Sequence, residues 1–600
     1  MQHDNKNFIL AIVLSTLIII GWQYFYAAPT QKKLETQTTS QQQTTNPQSP
    51  SPEAQPGATV PGATQTPVVP RETALAAGKR IKIDTPVIDG TINLTGARFD
   101  DIHFKNYRET VDPKSPEIAL LNPSGTPDGY FAEQGFVPAA GSAVKVPDSN
   151  TEWQAPADAV LAPGSPVTLT WDNGEGVTFA RTISVDEDYL FSVKQDVTNK
   201  TANPISLFPY ARLLRQGTPK VGGIYVLFEG LIGVFNGSLE EIHYKDLKDD
   251  KTKVPKDGTG GWMGFTDKYW ATALIPDQAT SLTGTFQHIA GGDSFQADYL
   301  GKTAIAVPAG GIGSYQDRLF TGAKVVQKIN AIGEKYKIDH FDLMIDWGWF
   351  YFLTKPLFWL LEFIKSYVGN FGLAILLVTV IVKLLFFPLQ NKSYESMSKM
   401  KKLQPEMEKI KQANPDDRMK QQQEMMALYK REKVSPLSGC LPILIAIPVF
   451  FALYKVIYVT IEMRHAPFFG WIQDLSAHDP TTIFNLFGLI PWDPSTVPFF
   501  GHYMMLGVWP IIMGITMWLQ MRLNPTPPDP VQAQLFNWMP IIFTFMLSSF
   551  PAGLVIYWAW NNSLSILQQS FIMKRQGVEV NFFGNIRNSL PFLKRKSSTG

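Results

Sequence analysis

Long apolar segments place the strongest constraint on how this 600-residue chain can fold. A helix needs about 20 apolar residues to cross the hydrocarbon core of a lipid bilayer. Segments of this kind fill much of the second half of the chain, at 367–389, 437–460, 500–521, 535–550 and 554–573. Only a short Pro551-Ala552-Gly553 turn separates the last two. The pattern predicts a five-span α-helical membrane bundle over residues 367–573.

A further apolar segment, residues 8–26, carries Trp22, Tyr24 and Tyr26 at one end, where interfacial aromatics are found. A cleaved signal peptide is the alternative, because small residues follow the segment. The apolar run exceeds the core of a usual signal peptide, so we favour a retained anchor over residues 1–28. Residues 29–72 are rich in Gln, Thr, Pro and Ser and predict a disordered tether.

Residues 73–340 have the pattern of an all-β domain. Apolar and polar residues alternate on both sides of an Asp172-Asn173-Gly174 turn signal, which predicts a hairpin within a β-sandwich. Residues 341–366 are strongly aromatic, yet they contain charged residues that a true span would rarely tolerate. They predict an amphipathic helix that lies in the membrane interface.

Basic residues predict the orientation of the spans. Eleven Lys or Arg lie in 390–436 and six in the tail 574–600, whereas 461–499 contains only Arg464. The two basic segments are therefore expected in the cytoplasm. With the first anchor there are six crossings, so both termini are cytoplasmic and the β domain lies outside, in the periplasm of a Gram-negative cell.

The cytoplasmic segment 390–436 predicts a helical hairpin that turns at Asn414-Pro415. Apolar residues recur along it at spacings of three or four, and two interpretations stay open. The two helices pack together through these stripes, or flexible methionines offer an adaptable contact to varied apolar partners. The methionines concerned are Met397, Met400, Met407, Met419, Met425 and Met426.

Lys383 stands out because a cation inside a bilayer span is costly. Snorkelling to the headgroups is the simple explanation, but Thr379 lies one turn earlier on the same face. The last span also carries too many polar residues to face lipid: Asn561, Asn562, Ser563, Ser565, Gln568 and Gln569. We predict a hydrated, positively charged cavity that opens to the cytoplasm. Lys455, the other lysine in these spans, lies near an outer end and is expected to snorkel.

Composition excludes several function classes. The five spans contain no Asp or Glu, which argues against a proton-coupled carrier. The net charge of +1 gives no reason to expect nucleic acid, and the single Cys440 excludes an intramolecular disulfide. The eight histidines lack metal-ligand spacing. We therefore predict no catalytic residue, no metal and no cofactor.

Four stretches of the helical region are distinctive: "LQPEMEKI", "EMMALYKREKVSPLSGCLPILIAIPVFFALY", "APFFGWIQDLSAHDP" and "FPAGLVIYWAWNN". On these stretches the chain resembles the YidC/Oxa/Alb family of membrane protein insertases, in its Gram-negative form. The resemblance implies a periplasmic super-sandwich and insertion of nascent membrane proteins into the inner membrane, alone or with the Sec translocon. It implies as partners the ribosome and the phospholipid bilayer, and no small-molecule substrate.

The resemblance also implies site residues. A client groove would be formed by Lys383, Thr379, Tyr557, Trp558, Asn561, Asn562 and Ser565. The methionine-rich hairpin would receive clients, and Lys594, Arg595 and Lys596 in the tail would contact the ribosome. This sequence departs from the family at Lys383, where bacterial members usually carry arginine. It also departs at Ala446 and Trp558, where some carry other residues, so we expect less polar walls there.

The alternative function is a membrane-anchored periplasmic protein that binds or epimerises carbohydrate. The β domain offers His103, His243 and His288 as acid–base candidates. No carboxylate–histidine spacing singles them out, and isolated histidines are usually structural. We therefore favour the insertase.

Overall fold

The computed structural model describes residues 68–219, 227–249, 253–289, 293–415, 417–434, 441–497, 501–525 and 530–578, together with Val60, Gly291 and Val580. The predicted anchor (1–28), most of the predicted tether (29–72) and most of the basic tail (574–600) lie outside the described residues. The same holds for Lys594, Arg595 and Lys596.

The amino-terminal part of the described chain is built from antiparallel strands. In chain order they are β1 (Arg80–Asp84), β2 (Ile88–Asn93), β3 (Arg98–Arg108), β4 (Glu117–Leu121), β5 (Tyr130–Pro138), β6 (Val160–Leu161), β7 (Val167–Asp172), β8 (Val177–Val185), β9 (Leu190–Asn199), β10 (Ile205–Gln216), β11 (Gly230–Phe235), β12 (Ser238–Ile242), β13 (Lys253–Thr259), β14 (Trp262–Thr266), β15 (Trp270–Ile275), β16 (Ser281–Ile289), β17 (Ser294–Gly301), β18 (Ile305–Val307) and β19 (Ile312–Ala323). Among the described strands, only the short β1–β6 pair is parallel.

The strands form two sheets that pack face to face. One runs β13-β16-β17-β10-β5-β3-β2-β1-β6, with β18 beside β10 and β4 beside β3; the other runs β12-β11-β14-β15-β19-β9-β8-β7. Aromatic residues from both sheets meet in the core, as in the edge-to-face contact of Phe99 with Phe191 at 5.2 Å between ring centroids. The predicted β-sandwich is confirmed.

The β7–β8 hairpin shows how local sequence sets the register. Every second residue of β8 is buried along its whole length, as a strand with one face on the core requires. Asn173 closes the turn, because its Oδ1 accepts from the backbone N–H groups of Glu175 at 2.8 Å and Val177 at 3.0 Å. The hairpin predicted at Asp172-Asn173-Gly174 is confirmed.

Within the described ranges, three helices accompany the sheets: α1 (Arg71–Ala76), α2 (Tyr244–Asp249) and α3 (Val326–Tyr336). The sequence pattern predicted an all-β domain over residues 73–340, and this was wrong for α3. Val326, Ile329 and Ile332 are buried at a spacing of three, which is a helical and not a strand period.

The carboxyl-terminal part of the described chain is helical. Its helices are α4 (Tyr351–Val368), α5 (Phe371–Leu385), α6 (Phe387–Lys402), α7 (Gln404–Ala413), α8 (Arg418–Arg431), α9 (Leu441–Val459), α10 (Val508–Leu523), α11 (Pro530–Leu547) and α12 (Ala552–Arg575). Each of the five predicted spans overlaps at least one of these helices. Within the described ranges no single helix is long and apolar enough to cross a membrane, whereas α5 and α6 together meet that test as a pair bent by 70°. The number of spans stays a prediction.

The bend corrects the predicted span 367–389. Helix α5 ends at Leu385, and α6 begins at Phe387 with Pro388 in its first turn. A proline lacks the N–H that would continue the preceding helix, so it starts a new one. Lys383 therefore lies in the last turn of α5, and the residues after 387 belong to α6.

Helix α4 has two faces. One face is buried and mainly aliphatic: Leu357, Phe358, Leu361 and Ile364. The other face exposes aromatic side chains: Tyr351, Phe352, Trp359, Phe363 and Tyr367. The helix begins at Tyr351 and not at 341, because residues 341–344 form a separate 3-10 turn. The predicted location of this helix in the membrane interface stays a prediction.

An ion pair joins the β domain to the helices and corrects the prediction for Lys455. Its Nζ lies 2.6 Å from Asp346 Oδ2, and Lys455 is only 8% exposed. The same Asp346 oxygen accepts from the backbone N–H of Phe228 at 2.9 Å. Lys455 is thus held by a carboxylate in the segment before α4 and does not snorkel. We call this ion pair, together with the hydrogen bond from Val326 N to Glu462 Oε1, the junction.

Candidate functional site

Lys383 reaches across from α5 to the last helix. Its Nζ donates a hydrogen bond to Ser565 Oγ at 2.5 Å, and that hydroxyl donates in turn to the carbonyl oxygen of Asn561 at 2.8 Å. Among the residues that the structure describes, no carboxylate forms an ion pair with Lys383. The ammonium group is therefore bound to a neutral hydroxyl, and its charge is not balanced locally.

A cavity of about 310 Å³ lies beside this lysine. Residues from α5, α6, α9, α10, α11 and α12 line it, so it lies at the centre of the helical region. Its polar lining residues are Thr379, Lys383, Gln390, Tyr394, Gln520, Asn524, Tyr557, Asn561, Asn562 and Ser565. The cavity contains no acidic side chain, so Lys383 is its one charged group among the described residues.

The structure brings the predicted groove residues together. Thr379, Lys383, Tyr557, Trp558, Asn561, Asn562 and Ser565 all line the cavity. Thr379 is nearly fully buried and donates to the carbonyl oxygen of Ile375 on its own helix at 2.7 Å. Asn562 donates to Thr516 Oγ1 on α10 at 3.4 Å. Their role toward a client stays a proposal.

The two apolar positions at which this sequence departs from some members of the family, Ala446 and Trp558, both line the cavity. Ala446 lies on α9, and Trp558 on α12 packs edge to face against Phe450 at 4.5 Å between ring centroids. Trp558 also lies 6.0 Å from the ring of Phe543 on α11. One side of the cavity is therefore polar around Lys383, and the other is aromatic.

Sequence reasoning missed the contribution of α10. Gln520 and Asn524 line the cavity, and Asn524 Oδ1 accepts from Gln569 Nε2 on α12 at 3.0 Å. Gln568 donates to Asn391 Oδ1 on α6 at 2.9 Å. The spacing of four between Gln520 and Asn524 was a usable signal, because it places two polar residues on one helix face.

The methionines of the predicted hairpin separate into two groups. Met407 and Met425 pack together with Leu428 and Tyr429 between α7 and α8. Met397 lines the cavity and packs against Tyr394 and Ile572, and Met400 is buried. Met419 and Met426, by contrast, are exposed on α8. The expectation that both belong to the stripe facing the first helix was wrong, because residues six and one positions away from Met425 lie on other faces of the helix.

Family models match both parts of the chain. The one described as YidC periplasmic domain matches residues 80–360, and the one described as 60Kd inner membrane protein matches residues 363–579. The membrane protein insertase YidC of Bradyrhizobium diazoefficiens is 55% identical over 98% of this chain and 99% of its own length. The insertase YidC of Nitrobacter hamburgensis is 54% identical over 100% of this chain and 99% of its own length.

Solved structures are more distant. An active YidC insertase with its first transmembrane domain resolved covers 82% of this chain and 92% of its own, at 20% identity and a TM-score of 0.33. A galactose mutarotase related enzyme from Lactobacillus acidophilus covers 40% of this chain and 97% of its own, at 8% identity and a TM-score of 0.27. Partial similarity at this level gives no support to the epimerase alternative.

Proposed function

Because this chain belongs to the YidC family of membrane protein insertases, we propose that polar segments of its clients enter the bilayer through the cavity beside Lys383. The chain is an inner-membrane protein insertase with a periplasmic β domain. Its partners are membrane-protein clients and the lipid bilayer. Insertases of this family are not enzymes, and the proposal needs no covalent step.

The observation that carries the proposal is the hydrogen bond of Lys383 to a neutral hydroxyl. At an effective dielectric constant of about 20, two unit charges 4 Å apart attract by about 4 kcal/mol. A lysine paired with a resident carboxylate would already have used most of that attraction. Lys383 donates to Ser565 instead, so an acidic or polar client segment can take the place of the missing carboxylate.

The walls of the cavity explain how the apolar part of a client could leave. Beyond the cavity, α5 exposes Ile381, Leu384 and Leu385, and α11 exposes Ile541 and Ile542. An apolar client segment that follows its polar end would pass from the aromatic side of the cavity onto these surfaces. Moving apolar surface out of water is favourable by about 25 cal/mol per Å², and this term drives the step.

Further parts of the proposal concern delivery. We propose that the exposed Met419 and Met426 on α8 receive clients, because flexible, polarizable side chains adapt to varied apolar partners. The six-span topology with both termini in the cytoplasm, the contact of the basic tail with the ribosome, and cooperation with the Sec translocon belong to the same proposal. The distribution of basic residues supports the orientation.

Site-specific photo-crosslinking to a ribosome-bound client tests the route. Val382 lines the cavity, whereas its neighbour Ile381 is an exposed residue of the same type on another face of α5. Asn561 and Leu567 form a similar pair on α12. We expect photoreactive side chains at Val382 and Asn561 to capture the client, and those at Ile381 and Leu567 to capture mainly lipid. Capture only from Ile381 and Leu567 would refute the cavity route.

A further inference from the structure

The connection between α9 and α10 contains an exposed apolar loop. Residues 481–492, with the sequence TTIFNLFGLIPW, include no charged side chain. Its large apolar residues are exposed, and their exposed fractions range from 38% to 83%: Ile483, Phe484, Leu486, Phe487, Leu489, Ile490 and Trp492. So many neighbouring exposed apolar residues indicate a contact surface. We call residues 481–492 the apolar loop.

The apolar loop has a defined backbone. Thr482 and Asn485 form a capping box, and Asn485 Oδ1 accepts from the N–H groups of Thr482 at 3.0 Å and Gly488 at 2.8 Å. Leu486 and Phe487 have φ angles of 51° and 58°, in the left-handed region that residues with side chains rarely adopt. Such a conformation persists only where the surrounding structure imposes it. The hydrogen bonds thus hold large apolar side chains away from the protein.

The loop is fixed to the amino-terminal end of α10. Ile483 N donates to the carbonyl oxygen of Leu506 at 3.0 Å, and Thr482 Oγ1 donates to that of Met504 at 2.7 Å. Asp479, just before the loop, accepts from the N–H of Trp509 in the first turn of α10 at 2.9 Å. Asp479 also accepts from the indole of Trp471 at 3.1 Å, and Trp471 and Phe469 are exposed as well. The apolar surface therefore continues from the loop to these two aromatic residues.

We propose that the apolar loop inserts into the periplasmic leaflet of the bilayer and contacts lipid. The chain is an inner-membrane protein, and the loop is joined to one end of a helix whose middle is apolar. The loop itself contains no arginine, the charged residue that is enriched in protein interfaces, and it carries tryptophan, which is enriched at the membrane interface. Acidic Asp479 and Asp493 stand just outside the loop, on either side. Lipid hydrocarbon fits this chemistry better than a protein partner.

Insertion of the apolar loop into the leaflet would also affect the other end of α10. That helix contributes Met517, Gln520 and Asn524 to the cavity. A loop held in the leaflet would fix how deeply α10 lies in the bilayer, and thereby the position of the cavity wall that α10 forms. The inference rests on the membrane location of the family and on the proposed topology, and not on the proposed client route.

Fluorescence quenching in proteoliposomes tests the inference on the full chain. The only cysteine, Cys440, is replaced by serine, and an environment-sensitive fluorophore is attached at Leu489→Cys or, independently, at Phe484→Cys. The matched control is Ile312→Cys, an apolar residue of β19 that is 64% exposed in the β domain. The vesicles consist of phosphatidylethanolamine and phosphatidylglycerol. The quencher is either a nitroxide-labelled lipid within the bilayer or iodide in the buffer.

We expect nitroxide lipid to quench the labels at 489 and 484 several-fold more strongly than the label at 312, with blue-shifted emission. Iodide should show the reverse order. Labels at 489 and 484 that iodide quenches as strongly as the control would overturn the proposal. Protection from both quenchers would also overturn it, because the loop would then be covered by protein.

Discussion

The two lysines of the apolar helices differ in what balances their charge. Lys455 on α9 is nearly fully buried and lies 2.6 Å from a carboxylate of Asp346. Lys383 on α5 is half-buried beside a cavity and donates to the hydroxyl of Ser565. Removing one partner from a buried ion pair leaves an uncompensated charge. We therefore expect Lys455 to stabilise the fold, whereas the charge of Lys383 is, in our proposal, available to a client.

The largest expected effect is at the junction. Asp346→Ala removes the carboxylate beside Lys455 and also the acceptor for Phe228 N–H. Breaking a fully buried pair in this way costs about 3–5 kcal/mol, and the Asp346 side chain is 21% exposed, so we expect the lower end of that range. We expect a clear fall in the thermal unfolding temperature of the purified protein in detergent, and faster proteolysis between the β domain and α4.

The control replaces both partners, as Asp346→Leu with Lys455→Met. Replacing a buried pair by apolar residues of similar volume is often neutral, so the double variant should recover most of the loss. A single Asp346→Ala variant as stable as the parent protein would show that Lys455 finds water, and the contrast with Lys383 would fail.

The junction should also respond to pH. Burial raises the pKa of Glu462 to about 7, and the neighbouring Glu362 carboxylate adds to the shift. Glu462 Oε1 accepts from the N–H of Val326 at 3.0 Å. The folded state therefore favours the neutral acid, so its stabilising contribution is present at low pH and is lost as pH rises through about 7. We expect a loss of about 1–3 kcal/mol between pH 5 and pH 8, read from unfolding temperatures across that range.

Glu462→Gln isolates this contribution from the other carboxylates. The amide oxygen can still accept from Val326, and the side chain no longer titrates. The difference in stability between the parent protein and this variant should therefore change with pH and level off above about 8. A difference that stays constant from pH 5 to pH 8 would contradict the assignment.

The sequence was informative about the contents of the cavity and less so about the junction. Thr379, Lys383 and the polar residues of α12 could be predicted to meet, because polar residues in apolar spans must turn away from lipid. The partner of Lys455 could not, since Asp346 lies outside the predicted spans and is brought to α9 only by the packing of the segment before α4. Contacts between distant segments leave no periodic pattern in the sequence.

The β domain shows the same limit. Alternation predicted the β7–β8 hairpin, because one face of each strand is buried. Helix α3 was missed among the strands. In the helical region, the bend after Leu385 shortened a predicted straight span. Pro388 was visible in the sequence, but a proline near the end of a span can also be accommodated without a break.

A smaller effect, on function and not on stability, is expected at Lys383. Lys383→Leu should leave the unfolding temperature almost unchanged, because no partner is left buried and charged. Insertion of clients with acidic translocated tails should fall about tenfold, which corresponds to about 1.4 kcal/mol. Lys383→Glu should impair these clients more, through repulsion. Protease protection of radiolabelled clients in depleted membranes measures both.

Clients with uncharged tails provide the control, and Lys383→Leu should affect them little. Equal insertion of acidic-tailed clients by the parent protein and Lys383→Leu would show that the charge is merely tolerated. If Lys383→Leu lowered stability as much as is expected for Asp346→Ala, Lys383 would have a structural role like that of Lys455.

The smallest effect is expected when each of the two lysines is replaced by arginine, and it tests how much room surrounds each side chain. Lys383→Arg adds volume beside a cavity of about 310 Å³ and keeps the charge. We therefore expect an insertion rate within about twofold of the parent and a free energy of unfolding within about 0.5 kcal/mol of it. Acidic-tailed clients should gain slightly, because a guanidinium can bind a carboxylate with two hydrogen bonds. Lys455→Arg has less room, since Lys455 is only 8% exposed and its Nζ lies 2.6 Å from Asp346 Oδ2, and a larger planar group must displace its neighbours. Unfolding temperatures of the two variants, measured side by side, should therefore fall only for Lys455→Arg. Equal losses would mean that Lys383 has no more room around it than Lys455.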